Sequence, residues 1–145
     1  MYIRKENLCA WAYARDDSTS HGILICQMVE LLGDAERRGI QTAGASQDMS
    51  SGKTLDRMGL KEALRAVRTG HANAVLVRDV SRISGDKHTL LRVMEILQDH
   101  GAVLLCTKED AYASLRAKGV SQQIYQGSFC MDVDLPWLEK SRNGG

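Results

Sequence analysis

Three short runs of this chain are almost continuously apolar: LCAWAYA at Leu8 to Ala14, AVLV at Ala74 to Val77 and AVLLC at Ala102 to Cys106. Strands that alternate apolar and polar residues have one wet face, whereas runs without alternation suit strands covered on both faces, as in a parallel sheet. Between the runs lie segments of helical period. Leu24, Met28, Leu31, Leu32 and Ala35 fall at i, i+4, i+7, i+8 and i+11, followed by Arg37, Arg38 and Gly39. Cations and a C′ glycine belong there, because the helix dipole and a left-handed cap favour them. Leu60, Ala63, Leu64 and Val67 form a second stripe ending near Gly70, and Leu90, Leu91, Met94 and Leu97 a third ending at His100 and Gly101. Ile40 to Ala45 reads as a weaker strand at a sheet edge. The order β, α, β, α, β, α, β predicts an α/β domain, with a mostly parallel central sheet of about four to five strands and helices on both faces.

A chain of 145 residues fits one domain, and 43% hydrophobic with 26% charged residues excludes a disordered or low-complexity chain. Lys and Arg number 19 against 18 Asp and Glu, so nucleic-acid binding would need a local basic patch. There is no apolar stretch long enough to span a membrane, and the start MYIRKEN has no signal-peptide core, so no membrane partner and a cytoplasmic location are expected. Cys9, Cys26, Cys106 and Cys130 form no CxxC pair and no metal spacing with His21, His71, His88 or His100. They read as reduced, mostly buried thiols, with no metal or disulfide framework. After Asp110 the periodicity fades. Residues 1–110 therefore read as the domain, and 111–145 as a short extension with a strand or hairpin around Ile124 to Val133 and a frayed end.

Ligands of open α/β sheets bind beyond the carboxyl ends of the strands. The first run is followed there by Arg15, Asp16, Asp17, Ser18, Thr19 and Ser20; the second strand by Ser46 to Arg57; the third by Arg78 to Gly85; the fourth by Thr107 to Asp110. Arg15, Arg57 and Arg82 with Ser18 would make an electropositive pocket holding a hydroxyl, suited to phosphate because guanidinium forks match its oxygens. Taken singly, each arginine is an ordinary surface residue, and the informative feature is the convergence. Ser18, Thr19 or Ser20 reads equally as the N-cap of the helix that begins near Ile23. SGKT at Ser51 to Thr54 imitates the end of a P-loop, but the glycine that such a loop needs is here Gln47, which argues against a nucleoside triphosphate site.

YAR at Tyr13 to Arg15, the Ser18-Thr19 pair, Gln27, GKTLDRMGL at Gly52 to Leu60 and VLVRDVSRIS at Val75 to Ser84 together resemble the catalytic domain of serine site-specific recombinases, the resolvase and invertase family, over roughly residues 8 to 110. The resemblance implies an arginine-rich phosphate pocket around a serine that attacks a DNA phosphodiester, giving a phosphoserine link and a free 3′ hydroxyl, with no metal and no other cofactor. Arg15, Arg57 and Arg82 match family arginines, Ser18 is the candidate nucleophile, and Gln27, Asp17 and Ser81 are supporting positions. The chain departs from the pattern Y-x-R-x-S. In YARDDS the serine's place falls on Asp17 counted from Arg15 and on Ser18 counted back from Gln27; the second is preferred, as a one-residue insertion. Gly85 stands where the family has another arginine, and Ser81 where it has an aspartate.

Loss of one transition-state cation would cost on the order of 10²-fold in rate, since phosphoryl transfer depends on positioning and electrostatics. The alternative to an active recombinase is therefore a catalytically impaired relative that keeps the fold and a DNA or partner contact. A third reading is a phospho-receiver, since Asp16 and Asp17, Asp79 and Lys108 imitate its acidic pocket. Family members continue into a long dimerising helix and a DNA-binding domain, and neither pattern follows Asp110. The chain is thus expected to be a truncated or stand-alone catalytic domain, to bind DNA weakly by itself, and to function as a homo-oligomer.

Overall fold

The computed structural model describes residues 5–17, 21–50 and 57–120. Strands β1 (Cys9–Asp16), β2 (Gln41–Met49), β3 (Ala74–Val77) and β4 (Val103–Cys106) alternate with helices α1 (His21–Arg37), α2 (Met58–Arg68), α3 (Lys87–Asp99) and α4 (Ala111–Ala117). All strand pairs are parallel, in the order β2-β1-β3-β4. The predicted class, a mostly parallel sheet of about four to five strands with helices on both faces, is the class observed, with four strands among the described residues.

Period-two alternation divides the core into two layers. Tyr13, Val75, Val77, Leu104 and Cys106 point into the layer built with Leu60 and Leu64 of α2, Leu90 and Leu97 of α3 and Leu115 of α4. Ala10, Ala12, Ala14, Leu76 and Leu105 point the other way, toward Leu24, Leu31 and Ala35 of α1. Every residue of β3 and β4 is buried, which is why these strands read as unbroken apolar runs. Gly39, Gly70 and Gly101 follow their helices at φ of 71°, 81° and 66°, a conformation that glycine holds without a Cβ clash.

Three expectations change. β2 is an edge strand as expected, but it runs to Met49: Tyr13 to Asp16 pair with Ser46 to Met49, so main-chain pairing extends it through residues whose polarity hides it. Gln47 consequently lies in a strand, paired with Ala14. The segment after Asp110 opens with α4, capped by the Asp110 carboxylate on Tyr112 N and Ala113 N (3.0 and 3.3 Å), and Leu115 and Val120 join the core. Of the described cysteines only Cys106 is buried, while Cys9 is half-buried and Cys26 exposed on α1. Desolvation, then the nearby carboxylates of Glu109, Asp79 and Asp110, push the Cys106 thiol pKa well up. No helix among the described residues is long and apolar enough to cross a membrane. The strand or hairpin expected around Ile124 to Val133 lies outside the described residues.

Candidate active site

Tyr13 and Arg15, two apart on β1, share a face of the sheet. Arg15 is 8% exposed. Its Nε donates to the carbonyl of Arg82 (2.9 Å), Nη2 to that of Ser81 (2.7 Å) and Nη1 to that of Ser50 (2.8 Å) and to the Asp17 carboxylate. One guanidinium thus ties the ends of β1 and β2 to the short 3-10 turn Val80–Arg82 that follows β3. Arg82 replies through Nη1, which donates to the Arg15 carbonyl at 2.9 Å and to Asp16 Oδ1 at 3.3 Å, while its Nε faces Asp79 Oδ2 at 3.4 Å. Gln27 reaches from α1 to the same strand end: its Oε1 accepts Arg15 N (3.1 Å) and its Nε2 donates to Arg15 O (3.3 Å).

Arg57, 3% exposed, precedes α2 and arrives from the opposite side. Its Nη1 donates to the Tyr13 hydroxyl (3.1 Å) and to the Arg82 carbonyl (3.4 Å), and its Nη2 to the Ile83 carbonyl. The guanidinium carbon lies 5.9 Å from the Tyr13 ring centroid, within cation–π range. Burial lowers the Arg57 pKa, and the facing Tyr13 opposes that shift.

Asp48, absent from the residues singled out in the sequence, holds this corner together. Its Oδ2 accepts the Tyr13 hydroxyl (2.7 Å) and Leu60 N (2.9 Å), and its Oδ1 accepts Gly59 N (2.8 Å). The carboxylate therefore caps α2 from β2, where Arg57 at the N-cap supplies no side-chain bond. Residue 59 must be small: a Cβ there would sit 2.6 Å from the Gln47 carbonyl oxygen. Burial first, then the hydrogen bond to Asp48, push the Tyr13 pKa far up, against the pull of Arg57 and Arg15. The hydroxyl stays protonated and serves as a structural donor.

Arg15, Arg57 and Arg82 are therefore brought together around the main chain of Ser81 to Ile83, at the carboxyl ends of β1 and β3. Ser18, Thr19 and Ser20 lie outside the described residues, as do Ser51 to Thr54. Asp17 is exposed and pairs with Arg15, and the Ser81 hydroxyl bonds the Asp79 carboxylate. A Cβ on Gly85 would meet open space. Beside the cluster an open groove of about 490 Å³ runs between α1 and the exit of β3. No group of three or more His, Cys, Asp or Glu suited to a metal occurs among the described residues. The receiver reading fails on charge: Asp16 and Asp79 both face the Arg82 guanidinium, which occupies the centre of the would-be acidic pocket.

The resolvase N-terminal domain family matches residues 10–127 of the chain. Among solved structures the chain is similar to the C-terminal catalytic domain of ISC1926 TnpA, an IS607-like serine recombinase, with TM-score 0.65, 22% identity and 76% of each chain covered. It is also similar to the N-terminal catalytic domain of TP901-1 integrase, with TM-score 0.64, 16% identity, and 81% of this chain and 96% of that one covered. A resolvase family site-specific recombinase from Streptococcus pneumoniae gives TM-score 0.59 and 18% identity, over 94% and 95% of the two chains. No curated protein matches the sequence. At such identities the structures carry the fold, and the family match, which takes in Arg15, Gln27, Arg57 and Arg82, carries the kinship. The chain belongs to the resolvase N-terminal domain family.

Proposed function

We propose that this domain performs serine-mediated DNA strand cleavage and transfer in site-specific recombination. The Ser18 Oγ attacks a DNA phosphodiester, a P–O bond forms to serine as the bond to the 3′ oxygen breaks, and the serine proton is carried away while the leaving oxygen takes one up. The phosphoserine keeps the phosphodiester bond for rejoining to another 3′ hydroxyl. The observation that supports this reading is the convergence of Arg15, Arg57 and Arg82 on one turn of backbone at the carboxyl edge of the sheet, at the end of the strand that Ser18 follows in the sequence. Preorganised cations there would stabilise the charge on the non-bridging oxygens. DNA is the proposed partner, bound weakly by this chain alone, and exchange of two duplexes requires a homo-oligomer. The cytoplasm is the proposed location.

One observation favours an impaired relative. Asp16 and Asp79 face Arg82, Asp17 pairs with Arg15, and Gly85 supplies no cation, so the site offers less positive field than its arginines suggest. One experiment separates the two readings. With a suicide duplex and a cognate DNA-binding domain supplied, the active reading expects a covalent protein–DNA adduct that Ser18→Ala abolishes, since alanine has no attacking oxygen. An adduct that survives Ser18→Ala but disappears with Ser20→Ala reassigns the nucleophile. Absence of any adduct from the wild type leaves the impaired reading.

A further inference from the structure

Alternation along β3 sends Val75 and Val77 into the layer of α2, α3 and α4, and Ala74 and Leu76 toward α1. Arg78 is next in phase, so it leaves the strand on the α1 side. There it lines the open groove together with Arg82 and with Ile23, Cys26, Gln27 and Glu30 of α1. Its main chain is fixed, because Val77 O accepts Thr107 N and Arg78 O accepts Lys108 N, each at 3.0 Å. Its side chain is held loosely by comparison. It is 41% exposed, and its ion pairs are long: 3.9 Å from Nε to Glu30 Oε2 and 3.8 Å from Nη1 to Asp79 Oδ2.

The other arginines differ in kind. Arg15 and Arg57 are buried, and neither can turn outward without stripping a hydrogen bond from a carbonyl of the Ser81 to Ile83 turn. Leaving such a buried carbonyl unpaired carries a desolvation cost that a contact to phosphate would have to offset. A phosphate oxygen entering the groove can gain a short fork at Arg78 and displace only contacts near the limit of an ion pair.

We propose that Arg78 binds a backbone phosphate of duplex DNA in this groove beside Arg82, and that Glu30 competes with the DNA for that guanidinium. The inference rests on the reading of the domain as a DNA strand-transfer module. It assigns a contact with DNA to a residue outside the buried arginine cluster, with a carboxylate on α1 that the DNA must displace.

The test is fluorescence anisotropy of a fluorescein-labelled duplex of arbitrary sequence, titrated with the full chain across a salt series. One lost phosphate contact lowers the slope of log K against log salt by about 0.9. Arg78→Ala should show that loss with severalfold weaker binding, and Arg78→Lys should restore the slope but not the full affinity, since an ammonium cannot fork. Glu30→Gln should bind more tightly than wild type. Arg92→Ala removes an exposed cation from α3, across the sheet from α1, and should change neither quantity. A wild-type slope in Arg78→Ala overturns the proposal, as does an equal loss in Arg92→Ala, which would mean that only net charge matters. Unchanged or weaker binding by Glu30→Gln overturns the competition. If the wild type itself shows no salt-dependent binding, the proposal falls. The Ser18 adduct assay then decides separately whether the strand-transfer reading falls with it.

Discussion

Arg15 and Arg82, separated by 67 positions, hold each other's main chain: Arg15 Nε donates to the Arg82 carbonyl and Arg82 Nη1 to the Arg15 carbonyl, both at 2.9 Å. The pair locks the carboxyl end of β1 to the turn after β3. The side chains that converge on the candidate site are also the struts that set its shape, so truncating either one disturbs the fold along with any role in the site.

Arg15→Ala should destabilise the domain by on the order of 3 kcal/mol, because the carbonyls of Ser50, Ser81 and Arg82 lose a buried donor together. Arg15→Lys should recover little of this, since one ammonium cannot span three carbonyls in different directions. Arg82→Ala, at a half-buried site, should cost about 1 to 2 kcal/mol. The double variant should lose less than the sum, because each single change already frees the turn that the other bond holds. Urea unfolding of wild type, Arg15→Ala, Arg82→Ala and the double variant measures the coupling, and strict additivity would mean that the two arginines act independently.

Asp48 and Gly59 make a second joint. Asp48→Ala removes the acceptor for Tyr13 and the cap of α2 at once, and a loss of about 2 to 3 kcal/mol is expected. Gly59→Ala presses a methyl group against the Gln47 carbonyl, backbone that cannot swing aside, and should cost about 1 to 3 kcal/mol despite the better helix propensity of alanine. Thermal melts report both. A Gly59→Ala protein as stable as wild type would show that β2 and α2 slide apart cheaply.

Tyr13 links stability to alkaline pH. Its folded pKa is raised above the unfolded value of about 10, so the folded state holds its proton more tightly. The stabilisation is complete below about pH 10 and is lost as pH rises from there toward the folded pKa, because the unfolded chain ionises first. Unfolding free energy should therefore decline above about pH 10, and tyrosinate absorbance from one tyrosine should appear only with unfolding. In Tyr13→Phe that part of the alkaline decline should vanish, on a lower baseline from the lost bonds to Asp48 and Arg57.

What could be read in advance follows from what is local. β1, β3 and β4 were legible because burial on both faces leaves continuous apolar runs, and α1 to α3 because each presents a long stripe to the sheet. The last turn of β2 was not, since an edge strand is held by main-chain pairing and tolerates Ser46, Gln47 and Asp48. α4 escaped because a seven-residue helix with Ala111 and Leu115 as its buried positions carries too little periodicity. At the site, strand ends pointed to Arg15, Arg57 and Arg82. That their guanidinium groups would face carbonyls of the turn after β3 depends on how that turn folds, and Asp48 acts on α2 across an interface that no spacing reveals.

Gly85 offers a direct gain-of-function test. It precedes Asp86, whose carboxylate caps α3 by accepting Thr89 N at 2.9 Å, so the residue sits on an anchored segment beside the arginine turn. Its φ is not in the left-handed range, and a Cβ there meets nothing, so a side chain can be added without strain. Gly85→Arg should change stability by no more than about 0.5 kcal/mol, as for an exposed substitution away from packed contacts. If the missing cation limits the reaction, formation of the Ser18 adduct on a suicide duplex should rise by on the order of 10²-fold, the size of effect expected from one preorganised charge on a phosphoryl transition state. Gly85→Lys should gain less, lacking the fork. Equal adduct yields from wild type and Gly85→Arg would mean that the carboxylates of Asp16, Asp17 and Asp79, rather than the absent arginine, set the rate; charge-neutral variants of those three residues would then be the ones to accelerate it.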